Sequence, residues 1–410
     1  MNKIEKLISE LCPNGVEWVK LENLGFFYGG LSGKSKDDFS DGNAKFITYM
    51  NIFSNPSLKL DVEDKVRISE NEKQNKIKFG DVIFTGSSER ADECGLSSVL
   101  TTQTDEELYL NSFCFGFRLN NPKLFLPDFL KHLFRSTKLR KQINRTASGV
   151  TRFNVSKKKM ETVTIPIPPL AVQEDIVRIL DNFTELTAEL TAELTARKKQ
   201  YEYYRDSLLT FGDDVEWVKL GDVAFVQAGG TPSKNKADYW KNGTIKWLGS
   251  TVCKNQKTVN EITDYITELG FQNSSARLMK RETTLIALVG ATIGKVAFLP
   301  FEATINQNIA GIYPIDETKV LPSYIYYACT MLYSKFLDLG KGKLAMANLT
   351  FVRSLKIPLP PLSEQQRIVD ILDKFDTLTN SITEGLPKEI ELRKKQYEYY
   401  RDKLLSFPKK

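Results

Sequence analysis

At 410 residues the chain exceeds what one ordinary core accommodates, and 41% hydrophobic with 11% aromatic content supplies enough apolar material for two or more globular domains. The longest apolar runs, such as LIALVGATIG at 285–294, fall short of the roughly 18 residues a membrane span needs, and MNKIEKLISELCPNG lacks an apolar signal core, so a cytoplasmic protein with no membrane partner is expected. Five scattered cysteines without a CxxC pair (Cys12, Cys94, Cys114, Cys253, Cys329) argue against a disulfide framework or a zinc site, and the net charge of +6 is modest but unevenly placed.

In chain order, the first 162 residues carry short β-rich pieces, FGDVIFTG and LYLNSFCFGFRL, broken by Gly, Asn and Asp. The helical stretch LPDFLKHLFRSTKLRKQI follows. It opens a basic tract between Phe129 and Met160 that contains no Asp or Glu: Lys131, Arg135, Lys138, Arg140, Lys141, Arg145, Arg152 and Lys157 to Lys159. Next comes IPIPPLAVQEDIVRILDNFTELT at 165–187, where Pro166, Pro168 and Pro169 forbid helix before that point and permit it immediately after. Ile176, Ile179, Phe183, Leu186, Leu190, Leu194, Tyr201, Tyr204 and Leu208 then recur in steps of three, four or seven, a coiled-coil seam about 58 Å long over Ala171–Leu209. Within it LTAELTAELTA (186–196) repeats every four residues, so one unit more or less changes the rod by about 6 Å and nearly preserves its facing side. The helix ends in RKKQYEYYRD at 197–206.

The second half restates the first. VEWVKL recurs at offset 199, the IP-PPL segment at 192 (357–379), and RKKQYEYYRD, letter for letter, at 393–402. Between these repeats lie diverged β-rich pieces, TTLIALVGATIGKVAFL and IAGIYPI, and a weaker basic cluster from Lys319 to Lys356. Asn111 with Gly116 is matched by Asn306 with Gly311. Ser363 with Gln366 has capping-box spacing at the second long helix, and Gly385 and Pro387 predict a kink or break within it. Its seam residues would be Phe375, Leu378, Ile382, Ile390, Tyr397, Tyr400 and Leu404. The expected architecture is therefore α+β: two mixed globular domains, 1–162 and 213–354, separated by helical segments, 163–212 and 355–410, that pair as an antiparallel coiled coil in a pseudo-twofold internal repeat.

Two glycine loops imitate phosphate loops without completing one. GGLSGKS would need Gly where Tyr28 stands, and GATIGK is one residue short and followed by Val296. His132 is the only histidine, which removes most acid–base arrangements, and its amphipathic setting suggests a surface or packing role.

The duplicated IP-PPL…Q…IV-ILD-F segment, the duplicated RKKQYEYYRD and the stretch GGTPS…YW…I-W (Gly229–Ser233, Tyr239, Trp240, Ile245, Trp247) resemble the specificity (S) subunits of type I restriction–modification systems over essentially the whole chain. The resemblance implies a DNA-binding, non-catalytic subunit whose two diverged regions each recognise one half of a bipartite asymmetric duplex site. It implies two modification subunits methylating adenine, restriction subunits that translocate and cut, and S-adenosylmethionine, ATP and Mg on those partners, with no cofactor or metal in this chain. In the branch it resembles, the number of TAEL units sets the unread spacer between half-sites. A coiled-coil assembly protein whose variable domains bind protein or carbohydrate is the alternative reading.

Base readout needs donors and acceptors at base edges, with Lys and Arg on phosphates. Candidate DNA-binding residues in the first domain are Ser87, Ser88, Arg90, Lys138, Arg140, Lys141, Arg145, Thr151, Arg152 and Asn154. In the second they are Thr231, Ser233, Lys234, Asn306, Gln307, Asn308, Lys343 and Asn348. Tyr201, Tyr204 and Arg205, with Tyr397, Tyr400 and Arg401, are the candidate docking residues for the modification subunits.

Overall fold

The computed structural model describes residue 10 and residues 12–339, 346–381 and 383–410, so Lys343 and Ile382 lie outside the described residues. The chain forms two compact units: residues up to Glu189 together with Glu391–Lys410, and Leu190–Ile390. Each unit takes one diverged region and parts of both repeated helical segments.

In the first unit, Val82–Thr85 is one of the two inner strands of an antiparallel sheet ordered Gly25–Gly29, Cys114–Leu119, Val82–Thr85, Ser97–Val99. Alternation along it buries both faces. Val82 and Phe84 face a core with Phe129, Leu130 and Leu133 of helix Pro127–Leu133. Ile83 faces Ile47, Ile52 and Leu110. Gly116 is required where Tyr28 crosses the sheet, because a Cβ there would lie 2.1 Å from the tyrosine ring. The Tyr28 hydroxyl donates to Asp81 (2.6 Å), which also accepts two bonds from Arg118 (2.9 and 2.6 Å).

The second unit repeats the plan with different side chains. A five-stranded sheet runs Ala224–Ala228, Ile309–Pro314, Thr284–Ala287, Val296–Phe298, Gln256–Thr258. Ile286 faces one core with Tyr324, Tyr326 and Tyr327 of helix Pro322–Thr330, while Leu285 and Ala287 face another. All five cysteines are buried and free.

The repeated sequences form the frame of both units. Glu17–Lys20 pairs antiparallel with Thr164–Ile167, and Trp217–Lys219 pairs in the same way with Lys356–Pro358, so the two ends of each diverged region are clasped together. Immediately after each clasp a buried glutamine satisfies three backbone groups. Gln173 accepts from the Leu126 N–H (2.9 Å) and donates to the carbonyls of Leu124 (3.0 Å) and Pro168 (2.9 Å). Gln365 accepts from the Leu321 N–H (3.0 Å) and donates to Lys319 and Pro360 (both 2.9 Å).

The first long helix spans Leu170–Leu208, 39 residues. The second copy is two helices, Leu362–Asn380 and Gly385–Leu404. Pro387 falls in the first turn of the new helix, where backbone N–H groups have no intrahelical partner to lose. The Ser363–Gln366 capping box does not form. The helix begins at Leu362 without a side-chain cap, and Gln366 instead donates to Asp370 (2.7 Å).

Within each unit the start of one repeated helix meets the end of the other. Phe183 stacks on Tyr400 (centroids 5.3 Å, 18°) in the first unit, and Phe375 stacks on Tyr204 (5.4 Å, 28°) in the second. These pairs are the same two repeat positions with the copies exchanged.

Candidate nucleic-acid interface

In the first unit the two polar stretches proposed for DNA contact come together. Ser87–Ser88 pairs with Phe153–Val155, in register Asn154 with Ser87 and Phe153 with Ser88, and Ala147–Ser148 flanks them. Ser87 is only 6% exposed, too enclosed to reach a base itself. Its hydroxyl accepts from Arg152 Nε (3.2 Å) and Nη2 (3.0 Å), and its carbonyl accepts from the Tyr49 hydroxyl (2.9 Å). Ser88 Oγ is engaged with Glu93 (3.4 Å) and the Arg90 N–H (3.3 Å). Arg90 is exposed but pairs with Asp92 (2.7 Å) and Glu93 (3.4 Å), which offset its charge. Thr151, Arg152 and Asn154 are exposed beside Val150, which is 91% exposed.

The basic tract is not one solvated face. Arg140 donates to the carbonyls of Asp92, Cys94 and Gly95 and to Asn144, and burial pulls its guanidinium down to about 10. Arg135 donates to the carbonyls of Ser97, Ile52, Phe53 and Asn55. Lys131 is held by Asp128 and Asp181. These side chains bind the fold together, so Arg140 is a structural bracket rather than a phosphate contact. Lys138 extends over the Trp18 ring (3.8 Å), and partial burial lowers its pKa. Lys141 and Arg145 are exposed and make no ion pair among the described residues.

His132 is buried, with Nε2 2.8 Å from Asp181 and Nδ1 2.9 Å from the Tyr397 hydroxyl. Burial holds its imidazole below the ordinary value, partly opposed by Asp181. This is a packing role.

In the second unit the Thr231 hydroxyl donates to Gln307 (2.5 Å), joining loops 76 residues apart. Trp247 Nε1 donates to the Gly230 carbonyl (3.0 Å) and Trp240 Nε1 to that of Ser233 (3.1 Å), so the tryptophans of GGTPS…YW…I-W fold this loop and leave Ser233 and Lys234 exposed. Asn306 is 8% exposed, and its amide oxygen accepts from the Asn308 N–H (3.0 Å), as Asn111 does from Phe113 (2.9 Å). Asn348 caps helix Leu349–Ser354 through the Phe351 N–H (2.8 Å). Asn306 and Asn348 are thus turn and cap residues. Gln307 is exposed and Asn308 half-buried.

The docking residues also divide. Tyr201 and Tyr204 lie against Phe375, Tyr400 against Phe183, and Tyr397 against His132, while Arg401 is mostly covered beside Tyr397 and Asp402. They build the helix pairing. Arg205 is tied to Asp206 (2.6 Å). The outward tyrosines are Tyr203 (69% exposed) and Tyr399 (63%), each set edge-on against Tyr204 or Tyr400. The heptad steps in the sequence, extended to exclude seam positions, single out these two. A second omission was the apolar rim beside Arg152, formed by Met50 and Phe113, both 60% exposed, with Tyr49 behind. Phe113 follows the alternating strand pattern of LYLNSFCFGF, which conceals that it occupies the turn.

Comparison with known proteins decides the family. Residues 13–197 and 212–392 match the type I restriction modification DNA specificity domain. The chain belongs to this family. It is 49% identical over 268 residues to the Escherichia coli type I restriction enzyme EcoR124I/EcoR124II specificity subunit, covering 62% of this chain and 65% of that protein, slightly under two thirds of the relative's length. Its fold matches the S subunit of the Mycoplasma genitalium type I system (TM-score 0.53, 15% identity, 97% of this chain and 98% of that one). It also matches a structure from a study of type I restriction–modification complex assembly and conformational transition (TM-score 0.62, 19% identity, 96% and 98%).

Proposed function

We propose that each unit contacts one half of a bipartite, asymmetric duplex site, and that the two copies of the RKKQYEYYRD surface hold two adenine methyltransferase subunits. S-adenosylmethionine, ATP and Mg would belong to those subunits and to the restriction subunits that join them in the cytoplasm. The observation that carries this reading is the division of the molecule. Clasp, glutamine and helix surface are repeated nearly unchanged, whereas the loops at the strand ends of the two units share almost no side chains. One surface made twice fits two copies of one partner, and two different loop faces fit the two halves of an asymmetric target. No described helix is long and apolar enough to cross a membrane.

The test is duplex binding by the chain assembled with its methyltransferase subunits. The logarithm of the binding constant should fall linearly with the logarithm of salt concentration as counterions are released. An assembled complex without salt-sensitive duplex binding overturns the reading.

A further inference from the structure

We propose, resting on the DNA-recognition reading above, that Arg152 is a specificity-determining residue that reads the guanine of a G·C pair, with Ser87 as the residue that positions it. Of the neighbouring arginines, Arg90 is committed to Asp92 and Glu93 and Arg140 to backbone carbonyls, whereas Arg145 is exposed but has no side-chain hydrogen bond holding it among the described residues. Arg152 is exposed and makes no ion pair among the described residues. Its Nε and Nη2 share one acceptor, Ser87 Oγ, leaving Nη1 and the outer N–H of Nη2 without a hydrogen-bond partner among the described residues. Ser87 is fixed in turn, by strand pairing with Asn154 and by the Tyr49 hydroxyl on its carbonyl. The fork is therefore held before any ligand arrives, which reduces the ordering cost of binding.

The surroundings select a base edge over a phosphate. Arg152 borders a cleft of about 400 Å³ walled by Met50 and Phe113, and its guanidinium lies 5.8 Å from the Phe113 ring. Glu89 and Glu93 line the same cleft. Carboxylates repel phosphate, and an apolar wall gives it nothing to bond. Guanine instead offers O6 and N7 to an arginine fork, its cytosine partner offers an N4 donor to a carboxylate, and an apolar wall suits a neighbouring base edge or thymine methyl. At the matching place in the second unit Val289 bridges to Met346, so this reader belongs to one half-site.

The experiment uses the full chain assembled with its methyltransferase subunits and maps methylated adenines in a randomised duplex library by single-molecule sequencing. Arg152→Ala should lose discrimination at one G·C position of one half-site by roughly ten- to a hundredfold, leaving the other half-site and the spacer unchanged. Arg152→Lys should retain part of it, and Ser87→Ala should relax the same position by a smaller factor. Unchanged discrimination in Arg152→Ala overturns the proposal. So does a uniform loss over all sequences with a shallower salt dependence, the mark of a phosphate contact. Salt-dependent binding to random duplex by each variant complex checks that it is folded. Absence of such binding in the unsubstituted complex would instead overturn the DNA reading on which the proposal rests.

Discussion

The two units are built on one frame and diverge where the frame ends. Asn111 and Asn306 make the same turn, Gln173 and Gln365 the same three bonds, and Val155 and Ala347 donate to the equivalent carbonyls of Gly86 and Leu288. One residue beyond those carbonyls the likeness stops. The first unit places Ser87 opposite Asn154, with Arg152 alongside, and the second places Val289 opposite Met346. Divergence also reaches the core: register aligns Tyr28, Asp81 and Arg118 with Gln227, Thr283 and Tyr313. Backbone geometry is thus held by the repeated segments, and the side chains hung on it are free to differ, inside as well as on the exposed loops.

The core difference supplies the largest expected effect. Asp81 has 1% side-chain exposure and neutralises Arg118 while accepting from Tyr28. Asp81→Ala would leave a partly buried guanidinium unpaired, a loss of about 3 kcal/mol confined to the first unit. Hydrogen exchange resolved by unit checks this. Equal loss of protection in Leu190–Ile390 would show that the units do not fold independently. The shared glutamines should behave oppositely, with like costs in both units. Gln173→Leu and Gln365→Leu each strand one N–H and two carbonyls, for about 1–3 kcal/mol apiece. Clearly unequal costs would break the claim of a common frame.

A smaller effect is expected where the two helix copies agree on the outside. Tyr203→Ala and Tyr399→Ala remove exposed rings and should leave thermal stability within about 0.5 kcal/mol. Each should weaken capture of one methyltransferase subunit, and the double variant should weaken both, measured by mass photometry of reconstituted complexes. Stoichiometry and affinity unchanged in the double variant would exclude these rings from the docking surface.

The repeat, the proline-bounded helices and the α+β character were legible because each is a local signal: identical letters, fixed spacing, or residues that forbid a conformation. The clasp was not, although its sequence is duplicated in plain view, because pairing Trp18 with Pro166 is a contact across the whole diverged region. The site was half legible for the same reason. Ser87 and Arg152 were found as separate polar loops, yet nothing local tells that one holds the other. Arg140 and Asn348 matched the residue types of DNA contacts, and only the fold shows the Arg140 donors spent on backbone carbonyls and the Asn348 amide oxygen spent on a helix cap.

The subtlest contrast lies behind the helix pairing. His132 meets Asp181 in the first unit where the Tyr327 hydroxyl donates to Asp373 in the second. The imidazole also faces Tyr397, with Lys131 and Asp128 nearby. Burial lowers its folded pKa below the unfolded value of about 6.5, so the unfolded chain takes up the proton first. The stabilisation is therefore complete above about pH 6.5 and is lost as the pH falls from there toward the folded value. The tyrosine counterpart does not titrate in this range, so acidification from pH 7.5 to 5.5 should lower hydrogen-exchange protection around Pro127–Leu133 more than around Pro322–Thr330. His132→Tyr, which installs the second unit's solution, should narrow that gap. A gap unchanged by the substitution would assign the pH response to the surrounding carboxylates and not to the single histidine.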